Sequence, residues 1–152
     1  MSLFRLNSLI AAGGSLALLL GAFAFQHIGG LAPCHLCLLQ RWPHAAAILI
    51  GAAALALGNR LLGWLGAAAA LTTAGIGGYH TGVERGWWEG PTTCTSGGAT
   101  SLSADEFFDK VINGPLIRCD EVAWQMLGLS MASWNMVISL ILVVFWIRAA
   151  RS

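Results

Sequence analysis

Charge is what this chain has least of. Only 10% of its 152 residues are Asp, Glu, Lys or Arg, against about 25% in an ordinary soluble domain. Acids are missing altogether from residues 1–83 and from 122–152, and tyrosine occurs once, at Tyr79. Extended polar sequence is nearly absent too, confined to one stretch between Thr81 and Glu121. These shortages exclude a water-soluble globular protein. The formal net charge of +1 gives no electrostatic reason for nucleic acid as a partner, and none is expected.

What remains is apolar, with 57% hydrophobic residues. Uncharged runs occupy Ser8–Phe25, Pro43–Gly58, Leu61–Tyr79 and Val122–Ile147. A helix needs about 20 residues to cross a bilayer. The second run reaches that length only if its helix starts upstream near Cys34, which puts Pro43 inside a helix, with a kink expected there. The fourth run is long enough for a surface segment followed by a span. The expected fold is therefore all-α: a four-helix transmembrane bundle embedded in the lipid bilayer. It forms a single domain over 1–152, with spans near 8–26, 35–58, 61–80 and 130–147.

Arg5, Arg60, Arg148 and Arg151 lie at one end of these spans, and all seven acids lie at the other. By the positive-inside rule both termini are cytoplasmic, and the loops near 27–34 and 81–130 face outward. Arg5, the apolar stretch after it and Ala22-Phe23-Ala24 formally fit a cleavable leader. The run is long for that purpose and Phe25 makes a poor boundary, so the first span is expected to be retained. Glycine and alanine crowd the first three spans, as close helix packing in lipid requires.

The long outward loop carries further pattern. Ser103-Ala104-Asp105-Glu106 is a capping box that predicts a short amphipathic helix over Ala104–Ile112. After Cys119, Asp120 and Glu121 precede a nearly unbroken apolar series to Met131, which predicts an interfacial helix.

Four cysteines are placed for chemistry on the outward side. Cys34-His35-Leu36-Cys37 sits at the start of the second span, and Cys94 and Cys119 sit in the long loop. At a helix N-terminus the first sulfur of a Cys-x-x-Cys meets unpaired backbone N–H groups that favour thiolate. Two dithiol pairs able to meet suggest an electron relay. Other uses stay open. Four thiolates can hold zinc, although Cys94 and Cys119 lack the Cys-x-x-Cys spacing. Covalent haem needs His directly after the motif, where Leu38 stands. A structural Cys94–Cys119 bridge is worth about 3.5 kcal/mol of loop closure with no redox role at all.

Arg41 lies one helical turn after Cys37, on the same face. An arginine at the edge of hydrocarbon marks a functional site by default, though snorkelling to the interface also accounts for it. Its fixed charge suits a Cys37 thiolate or a polarised carbonyl oxygen of a ligand. His80, at the outer end of the third span, is a second candidate for a ligand contact. His27, His35 and His44 are weaker ones.

Taken together, Phe25-Gln26-His27, Pro33-Cys34-His35-Leu36-Cys37 with Gln40-Arg41, Tyr79-His80-Thr81, Gly90-Pro91-Thr92-Thr93-Cys94, and Cys119-Asp120 with Trp124 and Leu127-Gly128-Leu129 resemble the DsbB (disulfide bond formation protein B) family. The resemblance covers nearly the whole chain. It implies an inner-membrane thiol:quinone oxidoreductase that reoxidises a periplasmic, thioredoxin-fold DsbA-type oxidase and passes two electrons to ubiquinone or menaquinone in the membrane pool. Carried across, Cys94 accepts the partner's thiolate. Cys119 pairs with Cys94 at rest and attacks Cys34, and Cys37 meets the quinone beside Arg41. His80 and Met131 match positions near the quinone, and no metal is implied. Some family members carry Glu where Gln40 stands. The rivals are a metal- or haem-binding membrane protein and a structural tetraspan with an inert loop disulfide.

Overall fold

The protein is described by a computed structural model covering residues 2–91 and 118–152. Helix α1 spans Leu3–His27, α2 His35–Leu57, α3 Leu61–Glu84 and α4 Met131–Arg151. A hairpin of β1 (Gln125–Met126) and β2 (Leu129–Ser130) precedes α4. All four helices are long and apolar enough to cross a membrane, so this is a multi-pass, all-α membrane protein. Each helix packs on two neighbours, α1 on α2 and α4, and α3 on α2 and α4, closing a bundle.

Local chemistry sets the helix ends. The Ser2 hydroxyl accepts the Arg5 N–H at 3.3 Å, which starts α1 ahead of its uncharged run. The second helix starts beside the Cys-x-x-Cys, with Cys34 as its N-cap, and continues through Pro43. It stops at Gly58, whose φ of 66° is the left-handed cap that glycine adopts without strain. Ser130 caps α4 by accepting the Ser133 N–H at 3.2 Å, and Arg148 and Arg151 lie in its last turn, opposite the negative end of its dipole.

The core is built from small residues around one large one. Trp146 is fully buried with Ala11, Ala12, Ala67, Ala70 and Leu142. Gly66 faces its ring so closely that a β-carbon there would collide with it. Large apolar side chains such as Leu49, Leu71 and Val144 are exposed, as lipid-facing positions should be.

The segment before α4 differs from expectation. No interfacial helix follows Cys119: residues 118–124 are irregular and Gln125–Ser130 form the hairpin. Its turn places Leu127 at φ 53° and Gly128 at φ 77°, the paired positive dihedrals of a tight two-residue loop. Apolar density alone does not distinguish this from an interfacial helix. One indole from each side holds the segment to the bundle. Trp124 meets the Phe25 ring at 5.0 Å, and Trp134 donates to the Met126 carbonyl at 3.1 Å. The helix expected over Ala104–Ile112 lies outside the described residues.

Candidate redox site

The first turn of α2 sets the geometry. As N-cap, the Cys34 sulfur accepts the Cys37 backbone N–H at 3.2 Å, the arrangement expected of a sulfur at a helix start. Cys34 and Cys37 are free thiols. Hydrogen bonding to the Cys37 thiol pushes the Cys34 pKa up, and burial acts in the same direction. The backbone N–H groups of Cys37 and Leu36 pull it down.

Cys119 is fully buried in one cluster with Cys34, Leu36 and Val83, with Cys37 packed alongside. It is disulfide-bonded. The structure therefore brings three of the four cysteines together, while Cys94 lies outside the described residues. Next to Cys119, Arg118 donates twice to the Asp120 carboxylate, at 3.0 and 2.6 Å. That hydrogen bonding pulls the Asp120 carboxyl below its ordinary range and raises the exposed Arg118.

His80 belongs to the sulfurs more than the sequence indicated. Its Nε2 lies 3.6 Å from the Cys34 sulfur and 3.8 Å from the buried Glu84 carboxylate. Its Nδ1 faces the Gln40 amide nitrogen at 3.0 Å. Gln40 Nε2 also donates to the Leu36 carbonyl at 3.1 Å, so the amide orientation is anchored by backbone. His80 Nδ1 is therefore the acceptor, and its proton sits on Nε2, facing Cys34.

The chain of bonds continues into the bundle. Gln40 Oε1 accepts from Asn135 Nδ2 at 2.7 Å, and Thr73 donates to the Gln40 carbonyl at 3.1 Å. Asn135 Oδ1 faces His44 Nε2 at 2.8 Å. The sequence named Gln40 only as part of the motif around Arg41, gave no sign of Thr73, Glu84 or Asn135, and ranked His44 low. The available signal was helical spacing within apolar runs: Gln40 and His44 at i, i+4, and Thr73, His80 and Glu84 on one stripe of α3.

A cavity of about 610 Å³ opens beside this network, lined by Cys37, Arg41, His80, Met131, Trp124 and Asn135 among others. All four residues expected near a ligand line this cavity. Arg41 donates to Gln26 Oε1 at 2.7 Å and lies 4.8 Å over the Phe23 ring. Its buried Nε has no partner among the described residues. His35 is exposed, and His27 stacks on Phe23.

Cys34, Cys37 and His80 also bring potential metal-ligand atoms within 4.8 Å of one another. A ligating imidazole needs a bare Nε2, whereas the Gln40 amide selects the Nε2–H tautomer. The hydrogen bonding favours a thiol partner over a metal.

Comparison with known proteins agrees with this chemistry. Residues 4–149 match the family described as disulfide bond formation protein DsbB. A disulfide bond formation protein B from Methylococcus capsulatus is 36% identical over 146 residues, 89% of this chain and 89% of its own. Disulfide bond formation protein B 2 of Pseudomonas aeruginosa is 32% identical over 133 residues, covering 82% of this chain and 78% of its own length. One from an Acidovorax species is 28% identical over 166 residues, 97% of this chain and 89% of its own. No solved structure gives a significant match. Matched along almost its entire length, the chain belongs to the DsbB family of disulfide bond formation proteins and is a disulfide-forming oxidoreductase.

Proposed function

We propose that the protein is a thiol:quinone oxidoreductase of the bacterial inner membrane that reoxidises a periplasmic, DsbA-type thioredoxin-fold dithiol oxidase. The observation that carries this reading is the burial of Cys119 against Cys34, at the lip of an apolar cavity that Cys37 and Arg41 line. Exchange requires an attacking thiolate and a reachable disulfide, and that packing supplies both on one face of the bundle. The four arginines at the far end support cytoplasmic termini and a periplasmic site.

Electrons pass by successive disulfide exchange. One partner thiolate attacks Cys94 of a Cys94–Cys119 disulfide, and its second thiolate resolves the mixed bond, leaving both loop cysteines reduced. Cys119 attacks Cys34 of a Cys34–Cys37 disulfide and expels the Cys37 thiolate. Cys94 then displaces Cys34 from Cys119 and restores the loop disulfide. Bound ubiquinone or menaquinone accepts two electrons and two protons from the Cys34–Cys37 dithiol. The residues present fit such a ligand: an apolar cavity, a fixed cation at Arg41, and an Arg41 Nε–H that has no partner among the described residues and can meet a carbonyl oxygen. His80 Nε2–H steadies negative charge on Cys34 during exchange.

Anaerobic turnover with a reduced thioredoxin-like partner and a water-soluble quinone tests this reading. One quinol per partner disulfide is expected, and Cys94→Ser should abolish trapping of the mixed disulfide. Trapping that survives this substitution removes Cys94 from its role, and turnover independent of quinone removes the acceptor.

A further inference from the structure

Resting on the quinone reading above, we propose that His44 is a second ligand-binding residue of the cavity, accepting a hydrogen bond from the hydroxyl of the reduced, hydroquinone form. His44 is 3% exposed and lines the cavity with Arg41 and Asn135. Nothing about its place in the sequence requires an imidazole there, at the start of the apolar run Pro43–Gly58.

Its protonation follows from the network, one bond at a time. Asn135 Nδ2 donates to Gln40 Oε1 at 2.7 Å and to Thr73 Oγ1 at 3.1 Å, and it also approaches the Thr73 carbonyl at 3.5 Å. Three oxygens around one nitrogen make it the amide NH₂, so the other amide atom, Oδ1, is an acceptor. Oδ1 faces His44 Nε2 at 2.8 Å and takes the Ser139 hydroxyl at 3.4 Å. Thr73 Oγ1 lies 3.2 Å from the same imidazole nitrogen, but its own proton goes to the Gln40 carbonyl. Both neighbours of Nε2 are acceptors, so Nε2 carries the hydrogen. His44 Nδ1 is then a bare lone pair, buried and without a partner among the described residues.

With Nε2 committed to the bundle, Nδ1 is the polar atom His44 has to offer the cavity. An acceptor cannot bind a quinone carbonyl, which only accepts, but it can bind a phenolic hydroxyl. Arg41, which only donates, suits the carbonyl. The cavity therefore holds one group for each redox form of the ligand.

The test compares affinities for a short-chain ubiquinone and for its hydroquinone. Full-length protein carrying Cys34→Ser, which blocks turnover, is used under anaerobic conditions. Quenching of Trp124 and Trp134, which line the cavity, is the readout. Adding His44→Leu should weaken hydroquinone binding about three- to tenfold, the worth of one hydrogen bond, and leave quinone binding within about twofold. Thr73→Val, which loosens the network but spares Nδ1, should keep the difference between the two forms. Equal losses for both forms, or none, overturn the inference while leaving quinone use intact. Binding of neither form by the parent protein sinks the quinone reading and this inference with it. Should His44→Leu fail to fold, the parent labelled with ¹⁵N-histidine decides: one unprotonated imidazole nitrogen should shift with hydroquinone and not with quinone. No such shift overturns the proposal.

Discussion

At the end of the bundle that carries Arg5, Arg60 and Arg148, the helices meet through apolar contacts, most of them between small residues. Phe4, Ala54 and Ala149 form one buried cluster there, and Gly63 approaches the Ala150 backbone so closely that a β-carbon would lie 2.8 Å away. At the opposite end the same four helices enclose a cavity and are joined by side-chain hydrogen bonds among Gln40, Thr73, His80 and Asn135. In hydrocarbon there is no hydrophobic force between helices, so close van der Waals contact and hydrogen bonds are the two means of holding them. One end uses the first and can be filled. The other uses the second and leaves space for a ligand while fixing the groups around it. The contrast predicts that chemistry and stability respond to different substitutions.

The largest separation is expected from Cys34→Ser. Serine is a good N-cap, so α2 should keep its start and thermal stability should hardly move, while turnover with quinone should fall to background. A large loss of stability would mean that the cysteine end also serves as scaffold. Arg41→Gln comes next. It removes a charged donor worth about 1.5–3 kcal/mol, roughly ten- to a hundredfold in KM for the quinone, and should leave thiol exchange with the partner unchanged. Steady-state kinetics with varied quinone would show it, and an unchanged KM would take Arg41 out of the site.

At the packed end, Gly66→Val forces a side chain into the Trp146 ring. Overpacking of this kind costs about 1–3 kcal/mol, read as a lower unfolding midpoint in detergent. Protein that stays folded should still reduce quinone. If activity is lost at full stability, the two ends are coupled and the contrast fails. Gln40→Leu acts more weakly and at the other end. It frees His80 Nδ1 from its donor, so the tautomer that faces Cys34 is no longer selected. Release of the Cys34 thiolate, as Cys94 displaces it from Cys119, should slow by about two- to tenfold, one hydrogen bond's worth, with quinone KM unaffected. Single-turnover measurement of the two disulfides would resolve the step.

The sequence revealed the two ends unequally. Hydrophobic length and the scarcity of charge expose a membrane helix directly, because burial in lipid has one requirement and every residue of the span reports it. Cys34 and Cys37 were legible for a similar reason: a Cys-x-x-Cys at a helix start has few inert uses. Gln40 was legible only as a motif residue, and Thr73 and Asn135 not at all, since each is an ordinary polar residue whose meaning comes only from a partner on another helix. His44 was visible but looked like an isolated imidazole until Asn135 and Thr73 were found beside it. The hairpin before α4 was missed for a different reason. Val122, Trp124, Met126 and Leu127 have the apolar density of an interfacial helix, and the turn at Leu127-Gly128 is decided by backbone dihedrals that composition does not report.

The smallest effect is expected at the lip of the site, where Arg118 and Asp120 pair in water. Asp120 titrates below an ordinary carboxylate because Arg118 hydrogen-bonds its charged form. A carboxyl whose folded pKa is depressed contributes order that is present above the unfolded value and lost as pH falls through the folded one. The pair should therefore hold through neutral and mildly acid conditions and release only below the usual carboxylate range. Exposed ion pairs contribute little to global stability, so Asp120→Asn should leave the unfolding midpoint unchanged at pH 7. Its signature should be local: faster amide exchange in residues 118–124, erased in the parent protein by high salt or strong acid. Loss of global stability in Asp120→Asn would show that the lip, like the packed end, is part of what holds the helices together.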